Sequence, residues 1–426
     1  MISVMKGFEM EIKRDYYLQQ LIDRRENGLI KVITGIRRCG KSYLLFNIYY
    51  QYLLRSGVPS DRILRIALDN DESDALLDHH ELGRYIRSLV NETDTWYIFL
   101  DEIQFVPDFE KVLNGLNRYP NLDIYVTGSN SKFLSSDILT EFRGRGDEVR
   151  VFPLSFREYL PAHTGTEHEA WSDYVTYGGM PLILTRKTDE QKAAYLKDLF
   201  RNVYIKDIVE RNRLRGDQIM ENLVDVLASS VGSLTNPAKL AQTFVSKGMG
   251  NVSEKTISSY ISCLIDAFLL EKAVRYDVKG KKYIASPYKY YYTDVGLRNA
   301  RLNFRQQEEN HLMENIIFNE MLIRGFNVDV GIVAHEEKDE QKNRTVKKYE
   351  IDFVCNQGSR RYYIQSAFAM PDAEKLNQEQ RPLLLSGDFF KKIIVAGNVL
   401  KPWHNENGIL IIGITDFLLN SRSLDI

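Results

Sequence analysis

Short, continuous apolar runs that end in glycine or acidic residues alternate along the chain with longer stretches whose apolar positions recur at three- and four-residue steps. That alternation predicts an α/β protein. "VITGIRRCGKSYLL", residues 32–45, reads as a strand that breaks into a glycine-containing loop and resumes as a helix. "ILRIALDND" at 63–71, "WYIFLDEIQ" at 96–104 and "LDIYVT" at 122–127 read as further buried-type strands, the second ending in Asp101-Glu102 and the third running into Thr127-Gly128-Ser129-Asn130. Residues 156–215 are helical in pattern, with a stop at Gly178-Gly179 and Pro181. "LTNPAKLAQTF" carries a helix start, with Thr235 or Asn236 as cap and Pro237 at the first position, and "VSEKTISSYISCLIDAFLLEKA" a second one capped by Ser253. "VRYDVKGKKYIASPYKYYYTD" then reads as a two-stranded ribbon turning near Gly280. The remainder begins with a helix and strand in "HLMENIIFNEMLIRGFNVDVGIV" and continues with a hairpin in "YEIDFVCNQGSRRYYIQSAFAM", whose alternation places Asp352 near Gln365.

Composition narrows the class. At 426 residues there is chain enough for two or three cores, and 44% hydrophobic with 27% charged residues describes an ordinary globular protein. A formal net charge of -2 gives the chain as a whole no basic field, so any nucleic-acid contact must be a local patch. No stretch approaches the roughly 18 apolar residues of a membrane span, and the start of the chain carries no signal-peptide pattern; a cytoplasmic location and no membrane partner are expected. Cys39, Cys263 and Cys355 lie far apart without a C-x-x-C pair, which disfavours a zinc site or a disulfide framework.

The loop at 35–42 has the spacing G-x-x-x-x-G-K-S, which suits a phosphate chain. Gly35 and Gly40 let the backbone approach closely, and the N–H groups of Arg37, Arg38, Cys39, Gly40 and the residues up to Tyr43 can cradle phosphate oxygens. Lys41 can reach the β- and γ-phosphates and the Ser42 hydroxyl can bind Mg²⁺. ATP and Mg²⁺ are therefore the expected ligands. Asp101 is the expected partner of the Mg²⁺ shell, and Glu102 the residue that orients or deprotonates the attacking water. Ser129 or Asn130, at the end of the adjacent strand, reads as a γ-phosphate sensor, although either could instead cap the next helix. Asp69 could touch the nucleotide site or be a solvated strand end. Arg145, and after it Arg143, could neutralise transition-state charge, in cis or from a neighbouring subunit of an oligomer. Cys39 could be a redox-sensitive thiol or a small loop filler.

"GIRRCGKS", "WYIFLDEIQ", "YVTGSNS", "FRGRG", "FPLSFREYL" and "YVTYGGMPLIL", in this order, resemble the bacterial and archaeal AAA-type P-loop ATPases that carry a winged helix and a restriction-endonuclease-like C-terminal domain. The resemblance implies a P-loop NTPase parallel sheet over 1–155, a helical lid over 156–216, a winged helix over 217–300 and an α/β endonuclease-like domain over 301–426. It implies ATP hydrolysis coupled to a switch or motor role. A winged helix of the DNA-binding kind would place Lys255, Thr256, Ser258 and Ser259 toward a major groove and Lys279, Lys281 and Lys282 at the backbone of double-stranded DNA; such modules also serve as docking sites for a protein partner. Restriction-type nucleases use a helix Glu, a strand Asp and an E-x-K triplet. Glu314 and Asp352 match the first two, but the triplet reads Gln365-Ser366-Ala367. Nuclease activity is not expected, while Glu314 and Asp352 alone could still hold a metal. The alternatives are an ATP-controlled docking or DNA-binding switch with negligible turnover, or a nuclease with an atypical metal site.

Overall fold

The computed structural model describes residues 12–129, 144–212, 217–249, 251–305, 308–338, 344–370 and 372–426. The chain divides into two compact units, one formed by residues up to Pro153 with Asp266–Phe268, the other by Leu154–Ile265 with Leu269–Ile426.

Five strands build the first unit: β1 (Ile30–Thr34), β2 (Ile63–Ala67), β3 (Trp96–Asp101), β4 (Leu122–Thr127) and β5 (Gly146–Arg150). They form one sheet in the order β2-β3-β4-β1-β5, parallel throughout. The three central strands are buried along their whole length, which is why they read as unbroken apolar runs, whereas the edge strand β2 is only partly buried. Helices His79–Leu89 and Phe109–Leu116 cover one face, packing Leu82, Ile86, Val112, Leu113 and Leu116 onto Ile98, Leu100, Ile124 and Val126. This order, with the phosphate loop leaving β1 and the acidic pair ending β3 on the far side of β4, is the P-loop NTPase fold.

The second unit holds the helices of the 156–212 segment, three more helices (Asp217–Ser229, Pro237–Ser246 and Glu254–Asp266) and a mixed sheet. Its strands are β6 (Leu270–Asp277), β7 (Lys282–Tyr292), β8 (Asn327–Lys338), β9 (Arg344–Gln357), β10 (Arg360–Ala367), β11 (Lys391–Ala396), β12 (Trp403–His404) and β13 (Leu410–Gly413). Their order is β12-β13-β11-β10-β9-β8-β6-β7. The ribbon that turns near Gly280 is therefore not free-standing: β6 pairs in parallel with β8, Arg275 opposite Val330, so segments 217–300 and 301–426 share one sheet. Among the described residues, no helix is long and apolar enough to cross a membrane.

One joint in this unit explains two glycine-bearing motifs at once. Helix Glu167–Tyr177 stops at Gly178, whose φ is 72°, and Asp294 caps the helix Val295–Arg301. The Asp294 carboxylate accepts from Gly179 N at 2.7 Å and from Leu297 N at 3.0 Å, and its burial pushes its pKa up to about 6 in spite of these bonds. A Cβ on Gly296 would stand 2.0 Å from the Tyr177 carbonyl oxygen, and one on Gly179 would stand 2.1 Å from that of Leu154. Gly296→Ala should thus destabilise the second unit by roughly 1–3 kcal/mol through overpacking. Gly115→Ala, in a helix with open space around it, should be neutral or slightly stabilising; denaturant unfolding of the two variants checks the contrast.

Candidate functional site

The 35–42 loop leaves the C-terminal end of β1 and enters the helical segment that starts at Lys41. Its course requires glycine at both ends. Gly35 has φ 135°, and a Cβ there would meet the Val151 carbonyl oxygen at 2.0 Å; Gly40 has φ 103°. Arg38 takes a positive φ of 66° between them. Cys39 is fully buried with its Sγ donating to the Val151 carbonyl at 3.3 Å, which is the geometry of a loop filler and not of a thiolate open to oxidants. The Lys41 ammonium is buried too, donating to the carbonyls of Gly35 at 3.0 Å and Ile36 at 3.2 Å, so it is folded over the loop that it would serve. Arg37 is half-buried, and Tyr43 is exposed on the first helical turn.

Asp101 joins the loop to the sheet. Its Oδ1 accepts from Ser42 Oγ at 3.0 Å and from Thr127 Oγ1 at 2.5 Å, and Thr127 Oγ1 accepts in turn from the Glu102 backbone N–H at 2.9 Å. Burial raises the Asp101 pKa, the two hydroxyls oppose that, and Glu102 and Asp69 add to it; Asp69 is exposed but near enough for its charge to act on Asp101. Glu102 has φ 51°, an uncommon conformation for a residue with a Cβ. Its carboxylate accepts from Ser129 Oγ at 3.3 Å and from the amide of Gln104. The structure thus brings Lys41, Ser42, Asp101, Glu102 and Ser129 together at the strand ends. Asn130 and Arg143 lie outside the described residues.

Arg145 stands elsewhere. It is exposed and immediately precedes β5, and its carbonyl accepts from Ile30 N, the first residue of β1. The loop leaves β1 at the other end, roughly 13 Å away at about 3.3 Å per residue. This corrects the in-cis reading of Arg145: its attachment is at the opposite end of the strands from the loop of its own chain.

Two contributors carried no sequence signal as site residues. Arg14, buried ahead of the helix Asp15–Asp23, donates to the Cys39 carbonyl at 3.4 Å and to that of Phe152 at 2.7 Å, bracing the loop from behind. Gln104 holds the Glu102 carboxylate; its place two residues after Glu102 was visible, its role was not.

In the second unit Glu314, Asp352 and Gln365 do converge. The Asp352 N–H donates to Gln365 Oε1 at 3.3 Å and the Ser366 N–H to Asp352 Oδ2 at 2.8 Å. Lys289 on β7 shares this cluster with them, paired with Glu314 and with Glu350 beside Asp352. Its Nζ lies 2.9 Å from Glu314 Oε1 and 2.7 Å from Glu350 Oε1. Burial alone would lower the Lys289 pKa, but Glu314, Asp352 and Glu350 together hold it above its ordinary value. Among the described residues no group of three or more His, Cys, Asp or Glu is arranged to hold a metal ion.

The first unit has the P-loop NTPase fold, and residues 27–160 match the family profile described as an AAA domain. Residues 168–308 match a second profile, a domain of unknown function (DUF8612). An "Uncharacterized protein" of Haemophilus influenzae is 35% identical over 415 residues, covering 96% of this chain and 98% of its own length. The chain belongs to the family of that protein. "Uncharacterized protein MJ1544" of Methanocaldococcus jannaschii is 28% identical over 365 residues, 81% of this chain and 76% of its own. Two solved structures are also matched, each at low similarity. The Aeropyrum pernix ORC1 protein in complex with DNA has TM-score 0.28 at 14% identity, covering 70% of this chain and 94% of that one. Cdc6p from Pyrobaculum aerophilum has TM-score 0.30 at 12% identity, covering 74% and 97%.

Thr127 is the bridge on which Asp101 and Glu102 both depend. Thr127→Val keeps the shape but removes Asp101's donor and leaves the Glu102 N–H without its acceptor, at an expected cost of about 1–3 kcal/mol. Thr127→Ser, which keeps the hydroxyl, should recover most of that loss in denaturant unfolding.

Proposed function

We propose that the protein is a Mg²⁺-dependent ATPase of the AAA type acting as a switch or motor. The observation that carries this reading is the single Asp101 oxygen shared by Ser42 and Thr127, because it puts a hydroxyl suited to the metal, a carboxylate for the metal's water shell and Glu102 within one hydrogen-bonded group at the mouth of the phosphate loop. The residues fit MgATP. The loop N–H groups from Arg37 to Tyr43 and Lys41 would hold the phosphates, Ser42 and Asp101 the metal, and Ser129 the γ-phosphate. The metal's contribution when bound is to neutralise charge on the β- and γ-phosphate oxygens. Lys41 must leave the carbonyls of Gly35 and Ile36 to reach the phosphates. Glu102 can take a proton from the attacking water only once its carboxylate is free of the Ser129 hydroxyl and the Gln104 amide. Asn130 is a second candidate for the γ-phosphate. Arg145, given its position, would act only on the nucleotide of a neighbouring subunit.

Lys41→Ala should weaken MgATP binding, since it removes a cation from the β- and γ-phosphates. Glu102→Gln should keep binding and lower turnover by at least ~10²-fold. Calorimetric ATP titration and a phosphate-release assay on both variants test the assignment; unchanged affinity in the first, or normal turnover in the second, would refute it.

The three helices 217–266 and the hairpin β6-β7 support a winged-helix reading, with Thr235, between the first two helices, bridging antiparallel to Tyr288 of β7. Lys255, Ser259, Lys279, Lys281 and Lys282 are exposed on its helix and turn, while Thr256 and Ser258 are half-buried. We read this module as a weak, phosphate-directed contact for double-stranded DNA, with a protein partner as the other occupant. Replacing Lys279, Lys281 and Lys282 by Ala should reduce the slope of log affinity against log salt by up to ~3, near one unit per lost phosphate contact. An unchanged slope assigns the module to protein docking. The C-terminal part of the second unit is read as an endonuclease-like fold without nuclease chemistry, since Ala367 supplies no ammonium and Gln365 no charge.

A further inference from the structure

The carboxylates of the C-terminal part of the second unit stand where an endonuclease-like fold would hold a divalent cation, and the residues present do not fit one. Glu314 and Asp352 are each nine-tenths buried, and both Gln365 and Ala367 are buried beside them. Glu314 Oε1 already accepts from the Tyr291 hydroxyl at 2.7 Å and from the Lys289 ammonium, which also reaches Glu350. One oxygen of Asp352 is held by the Ser366 N–H. A metal entering this group would have to displace a buried ammonium from two carboxylates. Mg²⁺ sheds its water reluctantly and binds poorly through amides, so a Gln in place of a Glu gives it little in return.

We propose that Lys289 is the resident cation of this cluster, its ammonium doing permanently and without metal the charge compensation that a divalent ion would do in a nuclease of this fold. The lysine arrives on β7, the outermost strand of the sheet by strand order, and not on β10, where the E-x-K pattern would put one. Its reach follows from the fused sheet, because the β6-β8 pairing joins the hairpin, through β8, to β9, the strand that carries Glu350 and Asp352. The inference is independent of the ATPase reading and deepens that of a domain without nuclease chemistry: it adds that the domain needs no metal and takes none.

The experiment uses the full-length, nucleotide-free protein with Mn²⁺ as probe. Wild type should show no Mn²⁺ site in this cluster by electron paramagnetic resonance, and its melting midpoint should be the same in chelator and in millimolar Mn²⁺. Lys289→Met should lower the midpoint by at least ~6 °C, the scale for breaking a buried ion pair in a unit of this size. Millimolar Mn²⁺ should restore at least half of that loss, and Asp352→Asn added to Lys289→Met should abolish the restoration. A folded Lys289→Met variant that Mn²⁺ does not rescue would overturn the proposal, leaving Lys289 an ordinary structural pair. If Lys289→Met does not fold, wild type decides alone: silence toward Mn²⁺ supports the proposal, whereas a site tighter than ~100 µM that disappears in Asp352→Asn overturns it. After that last result, a nicking assay on the same samples shows whether the bound metal supports cleavage.

Discussion

A single carboxylate oxygen, Asp101 Oδ1, accepts the hydroxyl protons of Ser42 and Thr127, and the geometry of the candidate site depends on that sharing. The strand order makes it possible. β4 lies between β3 and β1, so Thr127 at the end of β4 is the natural bridge from Asp101, on one neighbour, to the loop that leaves the other. A carboxylate this buried needs donors, and the donors at hand are side chains that a metal and a nucleotide would also recruit. The same Thr127 oxygen takes the Glu102 N–H and so sets the backbone turn that aims the Glu102 carboxylate. The loop itself is closed from behind by Arg14 and by the approach of Gly35 to Val151, leaving its N–H face as the side on which a ligand can bind.

The second unit is organised by buried charge of a different kind. Asp294 ties a glycine pair to a helix start, while Lys289 gathers Glu314 and Glu350 at the junction of the hairpin with the sheet. In both places a charged group is retained in the interior with its partners in place, the condition under which burial is tolerable.

Much of this was legible in the sequence, for identifiable reasons. β1, β3 and β4 read as strands because central parallel strands are buried on both faces, and the loop glycines announced themselves because the chain reverses its pattern around them. Asp101, Glu102, Lys41 and Ser42 could be placed because they sit at the ends of those strands or in that loop. What stayed hidden depends on long-range pairing. Lys31 and Asp123 form a buried ion pair inside the central strands, at positions that local pattern gives no reason to pair. Lys289 was read as part of a tyrosine-rich ribbon, since only the β6-β8 register brings it to carboxylates some 25 to 63 residues further along. Arg145 was weighed by its neighbouring glycines, and only the pairing of β5 with β1 shows that it stands at the end of the strands away from the loop. Arg14 precedes the first helix, and no spacing links it to Cys39.

The central claim is that the loop, Asp101 and Glu102 form one MgATP site, and a crystal structure with a non-hydrolysable ATP analogue and Mn²⁺ tests it most directly. The account predicts an anomalous manganese peak coordinated by Ser42 Oγ with Asp101 in its water shell, and a Lys41 ammonium moved from the Gly35 and Ile36 carbonyls onto the β- and γ-phosphates. Nucleotide bound elsewhere on the chain, or a Lys41 still folded over its own loop beside a fully occupied nucleotide, would contradict it.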